Sequence, residues 1–293
     1  FKQKTAYEML RSLVGSEMCI RDSHMAGSNF VASIDIGTEK IALLAADIED
    51  AGHLRIVAHN FCSSDGVKKG SLSSIDSLAR AISRLIEQTQ KDFGYKVELA
   101  HINISDTHLT CADGKGKVSI NDTVTLKDLD SVLESAMAKS TPTNKEKLHI
   151  IKKKFTINET LVVDNPIEMD AEVLESTVHI VTVSSSSIRN LERCLELSDL
   201  EVEKIVLNSI AKSHAVLSQE DKDSGVCILD IGAGVTSYSV FNEEGIVRSG
   251  VIASGGDEIT QEIAYAFDTS FEEAKRLKEN YGSAKSSTLK EDK

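Results

Sequence analysis

The stretch VCILDIGAGVTSYSVF, residues 226–241, decides how the chain is read. An apolar run stops at Asp230-Ile-Gly-Ala-Gly and then resumes with alternating apolar and polar side chains. Two strands joined by a glycine turn fit that pattern, because strand side chains alternate between faces and glycine tolerates tight turns. What needs explaining is the acid at the turn.

A second stretch raises the same question. VASIDIG at 31–37 agrees with VCILDIG at 226–232 at Val, Asp, Ile and Gly, and KIALLAADIE follows it as a returning strand. Seven positions alone can agree by chance. The shared context of strand, Asp-x-Gly turn, strand and helix-rich crossover predicts two related halves whose turns face each other across a cleft.

The rest of the chain organises around these two hairpins. LRIVAHNFCSS (54–64) reads as a third strand and ELAHINIS (98–105) as a central one. Between them Ile75, Leu78, Ala79, Ile82, Leu85 and Ile86 have helical spacing, with a cap expected at Ser73 or Ser74 and a stop at Gly94. From residue 106 to 181 the texture changes to a compact α+β insertion of short strands. It has a basic turn at DGKGK (113–117) and an amphipathic helix at 125–140. A helix opened by capping serines (186–199) follows, then EVEKIVLNSIAKSHAVLS (201–218), with VLNSIAKSHAVLS read as a loop. A polar linker, QEDKDSG (219–225), delivers the chain to the second hairpin.

Composition sets the outer bounds. A chain of 293 residues suits two or more packed units, and a formal charge of −13 opposes nucleic-acid binding. The five cysteines form no CxxC pair, which argues against a zinc cluster or a disulfide scaffold and fits a reducing cytoplasm. The apolar run at 41–46 is far too short to span a bilayer. Residues 1–29 lack periodicity and resemble a translated sequencing artefact; they are read as a non-native or disordered extension, with Met25 as the expected start.

Phosphate chemistry would account for the paired turns. Backbone N–H donors can approach a phosphate chain closely where glycine removes the Cβ. The first turn offers Gly37, the Thr38 hydroxyl and the Lys40 cation; the second offers Gly232, Gly234 and the Thr236 hydroxyl. Carboxylates beside polyphosphate repel it unless a cation intervenes. Asp35 and Asp230 are therefore expected to act as outer-sphere ligands of a hydrated Mg²⁺, or to orient an attacking water. The bland alternative is that each Asp-x-Gly simply builds a turn.

The two hairpins resemble the paired phosphate motifs of the actin, Hsp70 and sugar-kinase superfamily. Within it, the chain resembles the bacterial FtsA cell-division family. IDIGTEKIALLAADI resembles that family's first hairpin, CSSDGVKKGSLSSIDSLARAI its first helix entry, and INISDTHLTC the entry to its 1C subdomain. NPIEMDAEVLESTVHIVT resembles the end of 1C, GVCILDIGAGVTSYSVF the second hairpin, and residues 255–282 the segment beyond it.

The resemblance implies an α/β, actin-like ATPase fold with an FtsA-type 1C (SHS2) insertion and an incomplete second lobe. Subdomain 1A would comprise 30–105 and 182–224, 1C would comprise 106–181, and 225–293 would begin 2A and 2B, with the tail SAKSSTLKEDK solvated. It implies ATP and Mg²⁺ held by Asp35, Gly37, Thr38, Glu39, Lys40, Asp230, Gly232, Ala233, Gly234, Val235, Thr236, Gly255 and Gly256.

Filamentous relatives such as MreB place a Glu near the position of Asn208. An amide orients water but cannot accept its proton, so a weak ATPase at most is expected. The implied partners are FtsZ and other divisome proteins, with self-association through 1C. The implied location is the cytoplasmic face of the membrane at the division site, contacted by a C-terminal helix that this sequence does not include. Two rivals remain: an actin-fold small-molecule kinase, and a pilus-assembly scaffold of the same superfamily.

Overall fold

The computed structural model describes residues 30–49, 53–138 and 141–285. The extension expected at 1–29 and the end of the polar tail, 286–293, lie outside the described residues. The first lobe is a five-stranded sheet. Strands β1 (Phe30–Ile36), β2 (Lys40–Ile48) and β3 (Leu54–Ser63) form an antiparallel meander. A small hairpin, β4 (Val67–Lys68) and β5 (Ser71–Leu72), leads into helix α1 (Ile75–Phe93).

The helix starts and stops where its sequence says. The Ser74 side chain accepts the Ser77 amide, and Gly94 closes the helix in the left-handed region at φ 79. Leu78, Ala79, Ala81, Ile82 and Leu85 are buried in one core with Ile34, Ile41 and Leu43 of the sheet. Burying each large aliphatic side chain contributes roughly 2 kcal/mol. Strand β6 (Leu99–Ile104) then runs parallel beside β1, which becomes the middle strand of the five.

The insertion is a second, four-stranded sheet carrying one helix. Strands β7 (Thr110–Ser119), β8 (Lys145–Ile157), β9 (Leu161–Val163) and β10 (Val173–Ser184) lie in the order β7-β10-β8-β9, with α2 (Leu126–Met137) against it. Strands β7 and β8 are longer than the sequence suggested. The helix has a complete capping box between Thr125 and Asp128 and buries Leu129, Val132, Leu133, Ala136 and Met137. Leu126, expected on the same face, is exposed.

The basic turn expected at 113–117 is instead the middle of β7. Its glycines serve packing rather than turning. A Cβ on Gly114 would lie 2.0 Å from the Ala136 carbonyl, and one on Gly116 the same distance from that of Val132. Glycine lets α2 settle directly on the strand, a contact distance that sequence spacing cannot reveal.

Helix α3 (Ser185–Glu196) and strand β11 (Glu201–Leu207) complete the first lobe, β11 pairing parallel with β6. The serine cluster does not cap α3 as expected. Ser184 Oγ pairs with Ser186 Oγ at 2.7 Å, and Asp106 accepts the Ser184 amide at 2.9 Å. Residues expected to be a loop form helix α4 (Asn208–Val216), which carries the chain between the lobes. The expected linker is a short helix, α5 (Gln219–Ser224), because Ser218 and Asp221 form a capping box.

The second lobe begins with strands β12 (Val226–Ile231), β13 (Thr236–Asn242) and β14 (Gly245–Ile252) in an antiparallel sheet. Helices α6 (Gly256–Ala266) and α7 (Phe271–Tyr281) follow. Insertion and lobes meet where Val181, Leu207, Ile210, Phe241 and Ile246 share one core. The Ser239 hydroxyl donates to that of Ser209 at 2.8 Å, fixing β13 to α4.

Candidate functional site

The two hairpins close in the same register. Ile36 pairs with Ile41 and Ile231 with Thr236, and each turn is shut by one backbone bond: Gly37 N to Lys40 O at 3.0 Å, and Gly232 N to Val235 O at 2.9 Å. Those two glycine amides, which the sequence offered as phosphate donors, are therefore consumed by the turns. The amides of Thr38, Glu39, Ala233 and Gly234 make no hydrogen bond among the described residues.

The turns approach each other closely. A Cβ on Gly234 would lie 2.8 Å from Thr38 Oγ1 and 2.9 Å from the Lys69 Cα. Glycine is required there because the opposing hairpin fills the space a side chain would need. Beside the contact lies a cleft of about 420 Å³ bordered by Asp35, Gly37, Thr38, Glu39 and Lys40 of one lobe and Asp230, Gly232, Ala233 and Val235 of the other. Asn208 and Gly256 also border it.

Three expected residues stand back from the cleft. Thr236 turns its hydroxyl to the Ser254 carbonyl at 2.8 Å. Gly234 meets the opposing turn, and Gly255 packs under the second turn, where a Cβ would come within 2.4 Å of the Ala233 carbonyl. The start of α6 is likewise committed to that turn: Gly256 N and Asp257 N donate to the Gly232 and Ala233 carbonyls at 2.9 and 2.8 Å. Thr38 faces the cleft while its Oγ1 accepts the Gly70 amide at 3.2 Å.

The two acids have different partners. Asn103, on β6, donates its side-chain amide to Asp35 Oδ1 and accepts the Ile36 amide at 2.6 Å. Among the described residues Asp35 has no cationic partner. Asp230 Oδ2 receives Lys212 Nζ at 2.8 Å, Asn208 Nδ2 at 2.8 Å and Ser237 Oγ at 3.3 Å. Asn208 and Lys212 are one helical turn apart on α4, so they reach the same carboxylate.

Charge pairs also tie the lobes across the cleft mouth. Glu39 pairs with Lys275, and Lys69 with Glu258 at 3.1 Å. The hydrogen bond from Lys275 holds the Glu39 carboxyl below its usual range despite partial burial, and Glu39 raises Lys275 in return. Lys278 Nζ donates to the Gly256 carbonyl at 2.8 Å and to Thr260 Oγ1 at 2.6 Å, steadying the start of α6.

Sequence reasoning missed Asn103, Lys212, Lys275 and Lys278. Lys212 was within reach: reading 208–216 as a helix places it on the face of Asn208. The others come together only through sheet pairing and lobe packing.

Comparisons with known proteins agree with this architecture. Residues 227–293 match the family model "Cell division protein FtsA", and residues 106–182 match "SHS2 domain inserted in FTSA". Among curated proteins, cell division protein FtsA of Pseudomonas aeruginosa is 32% identical over 255 residues, covering 87% of this chain and 61% of the relative. Those of Neisseria meningitidis serogroup B and Escherichia coli K12 are 30% and 27% identical, each over 63% of the relative's length and 88% and 89% of this chain. The chain thus spans about three-fifths of the length of these relatives.

Among solved structures, the PilM-PilN type IV pilus biogenesis complex aligns with TM-score 0.60 at 16% identity, covering 86% of this chain and 70% of that one. Ethanolamine utilization protein EutJ from Carboxydothermus hydrogenoformans aligns with TM-score 0.51 at 14% identity, covering 94% and 72%. These low identities speak to the fold alone. With two Asp-Ile-Gly hairpins facing across an interlobe cleft and an SHS2 insertion in the first lobe, the chain has an actin-like fold and is similar to the FtsA cell-division proteins, matching their family models in two segments.

Proposed function

We propose that the protein binds ATP with Mg²⁺ between its two hairpins. In its full-length form it would polymerise on the cytoplasmic face of the membrane and tie FtsZ to it during septum formation. The observation that carries the nucleotide reading is the pair of turns in equal register, each leaving backbone amides unspent at one cleft. Such amides, with Lys40 and Lys212 among the lining side chains, suit a polyphosphate. The Asp35 carboxylate suits a hydrated cation, which would neutralise the phosphate charge when bound.

The amides of Thr38, Glu39 and Ala233 would cradle the phosphates, and Asp35 would hold the metal's waters. Asn208 contributes an amide that is already committed to Asp230, and an amide cannot take a proton from water. Slow hydrolysis at most follows. The domain boundaries inferred above, with 1A at 30–105 and 182–224 and 2A/2B from 225, organise this reading. The SHS2 insertion is the proposed surface for self-association. Among the described residues no helix is long and apolar enough to cross a membrane.

Co-sedimentation of the full-length protein with lipid vesicles, ATP and FtsZ tests the tether. Recruitment of FtsZ to the vesicle pellet is expected, and its absence with functional FtsZ rejects the tethering role. The relative named for pilus biogenesis leaves a scaffold as the second reading. Recruitment of a pilus-assembly partner in place of FtsZ would favour it.

A further inference from the structure

The Asp35 and Asp230 hairpins look interchangeable in sequence, yet the structure gives their acids opposite electrostatic surroundings. Both carboxylates stand at strand ends on the floor of the same cleft. A phosphate reaching that floor meets two negative groups and needs compensating positive charge at each. Asp35 is met by the neutral amide of Asn103 and has no cation within ion-pair distance among the described residues, so it is the acid left open to a bound cation. Asp230 already has its cation: Lys212 Nζ lies 2.8 Å from Oδ2 and borders the cleft.

Resting on the nucleotide reading above, we propose that Lys212 is a built-in cation for the terminal phosphate of a nucleoside triphosphate. Asp230 serves to aim that lysine rather than to hold the metal. The geometry gives Lys212 a defined post. Asn208 binds the same Oδ2 one helical turn earlier, and Ser237, directly across the hairpin from Asp230, adds a third donor. All three converge on one oxygen, which fixes the carboxylate's orientation.

The first hairpin cannot reproduce this arrangement. Its residue across from Asp35 is Ala42, which has no hydroxyl to donate. Lys212 is 39% exposed, so its ammonium is not locked into the core and can share its donors between Asp230 and an incoming phosphate. An ammonium with three donors acts on phosphate as a point charge. The added charge of a triphosphate over a diphosphate is where that contact would be felt. The metal requirement then belongs to the Asp35 side.

The test is isothermal titration of the full-length protein with ATP and with ADP, each in EDTA and in Mg²⁺, for wild type, Lys212→Met, Asp230→Asn and the double variant. Lys212→Met should weaken metal-free ATP binding about tenfold, the scale of one charge-assisted hydrogen bond, while ADP binding changes little. Asp230→Asn should show the same selective loss, and the double variant no more than either single one. Lys212→Arg, which keeps the charge, should retain the preference for ATP and shows that a loss in Lys212→Met is not misfolding. Equal losses for ATP and ADP, additive losses in the double variant, or unchanged ATP affinity in Lys212→Met would each overturn the proposal. Wild type binding neither nucleotide would remove the nucleotide reading and this proposal with it; wild type binding ATP beside an unaffected Lys212→Met removes this proposal alone.

Discussion

The two hairpins have the same register, the same closing bond and the same Asp-Ile-Gly, yet they are held in place by different parts of the molecule. Asp35 is steadied from within its own sheet, by Asn103 on the neighbouring parallel strand. Asp230 is steadied from the other lobe, by Asn208 and Lys212 on the helix that connects the two. The first site is therefore as rigid as a sheet. The second depends on how the lobes and α4 sit together.

Breaking the contact between the hairpins should have the largest effect. Gly234→Val places atoms where Thr38 and Lys69 already lie, and overpacking of this kind costs about 3 kcal/mol. A fall in the thermal midpoint with loss of nucleotide binding is expected. A variant with wild-type stability and binding would show that the turns do not need this approach.

Removing the sheet-borne support comes next. Asn103→Ala leaves the Ile36 amide without its acceptor and Asp35 without its donor, at a cost of about 2 kcal/mol. Chemical denaturation should report that loss, with no change in the preference for ATP over ADP. A change in that preference would mean that the two acids are not separately supported.

The support of the second acid has its own weak point. His149 on β8 of the insertion accepts the Leu207 amide at 2.9 Å, immediately before Asn208. Burial, with Lys204 beside it, holds this imidazole down to about 3 in the fold, so it stays neutral and can accept. Its folded value lies below the unfolded one of 6.5. The unfolded chain therefore takes up the proton first as pH falls, and stability present above 6.5 is lost progressively below it. Between pH 7 and 5 the loss from this residue should be about 2 kcal/mol. Denaturation at both pH values should show it, and His149→Gln should flatten that dependence.

The smallest effect belongs to the lobe-bridging pair of Glu39 and Lys275. Both side chains are substantially exposed, so Glu39→Gln should cost well under 1 kcal/mol and only at low salt. The depressed Glu39 value means that the pair contributes above about pH 4.5 and is lost as pH falls through the folded value. Melting curves at two ionic strengths would check this. A large, salt-independent loss would make the bridge a true lobe clamp.

Much of this was legible in local pattern. The period of α1, the two glycine-terminated hairpins and the presence of an insertion between them are consequences of side-chain sequence acting over a few residues. The errors share a cause. Gly114 and Gly116 read as a turn because glycine marks turns, but they are strand residues emptied of side chains to admit α2. Residues 208–216 read as a loop because their apolar stripe is weak, yet packing of Ile210 and Ser209 between the lobes makes them a helix.

The sequence by itself determined that two Asp-Ile-Gly hairpins exist, that they repeat, and that an insertion separates them, because strand alternation, turns and caps are local. Only the tertiary structure decided that the hairpins touch at Gly234, that their glycine amides are spent on closing the turns, and that one acid has a lysine while the other has an amide. Those facts depend on residues far apart in the chain meeting in space, Asn103 with Asp35 and Lys212 with Asp230. The near-identity of the two motifs conceals that difference.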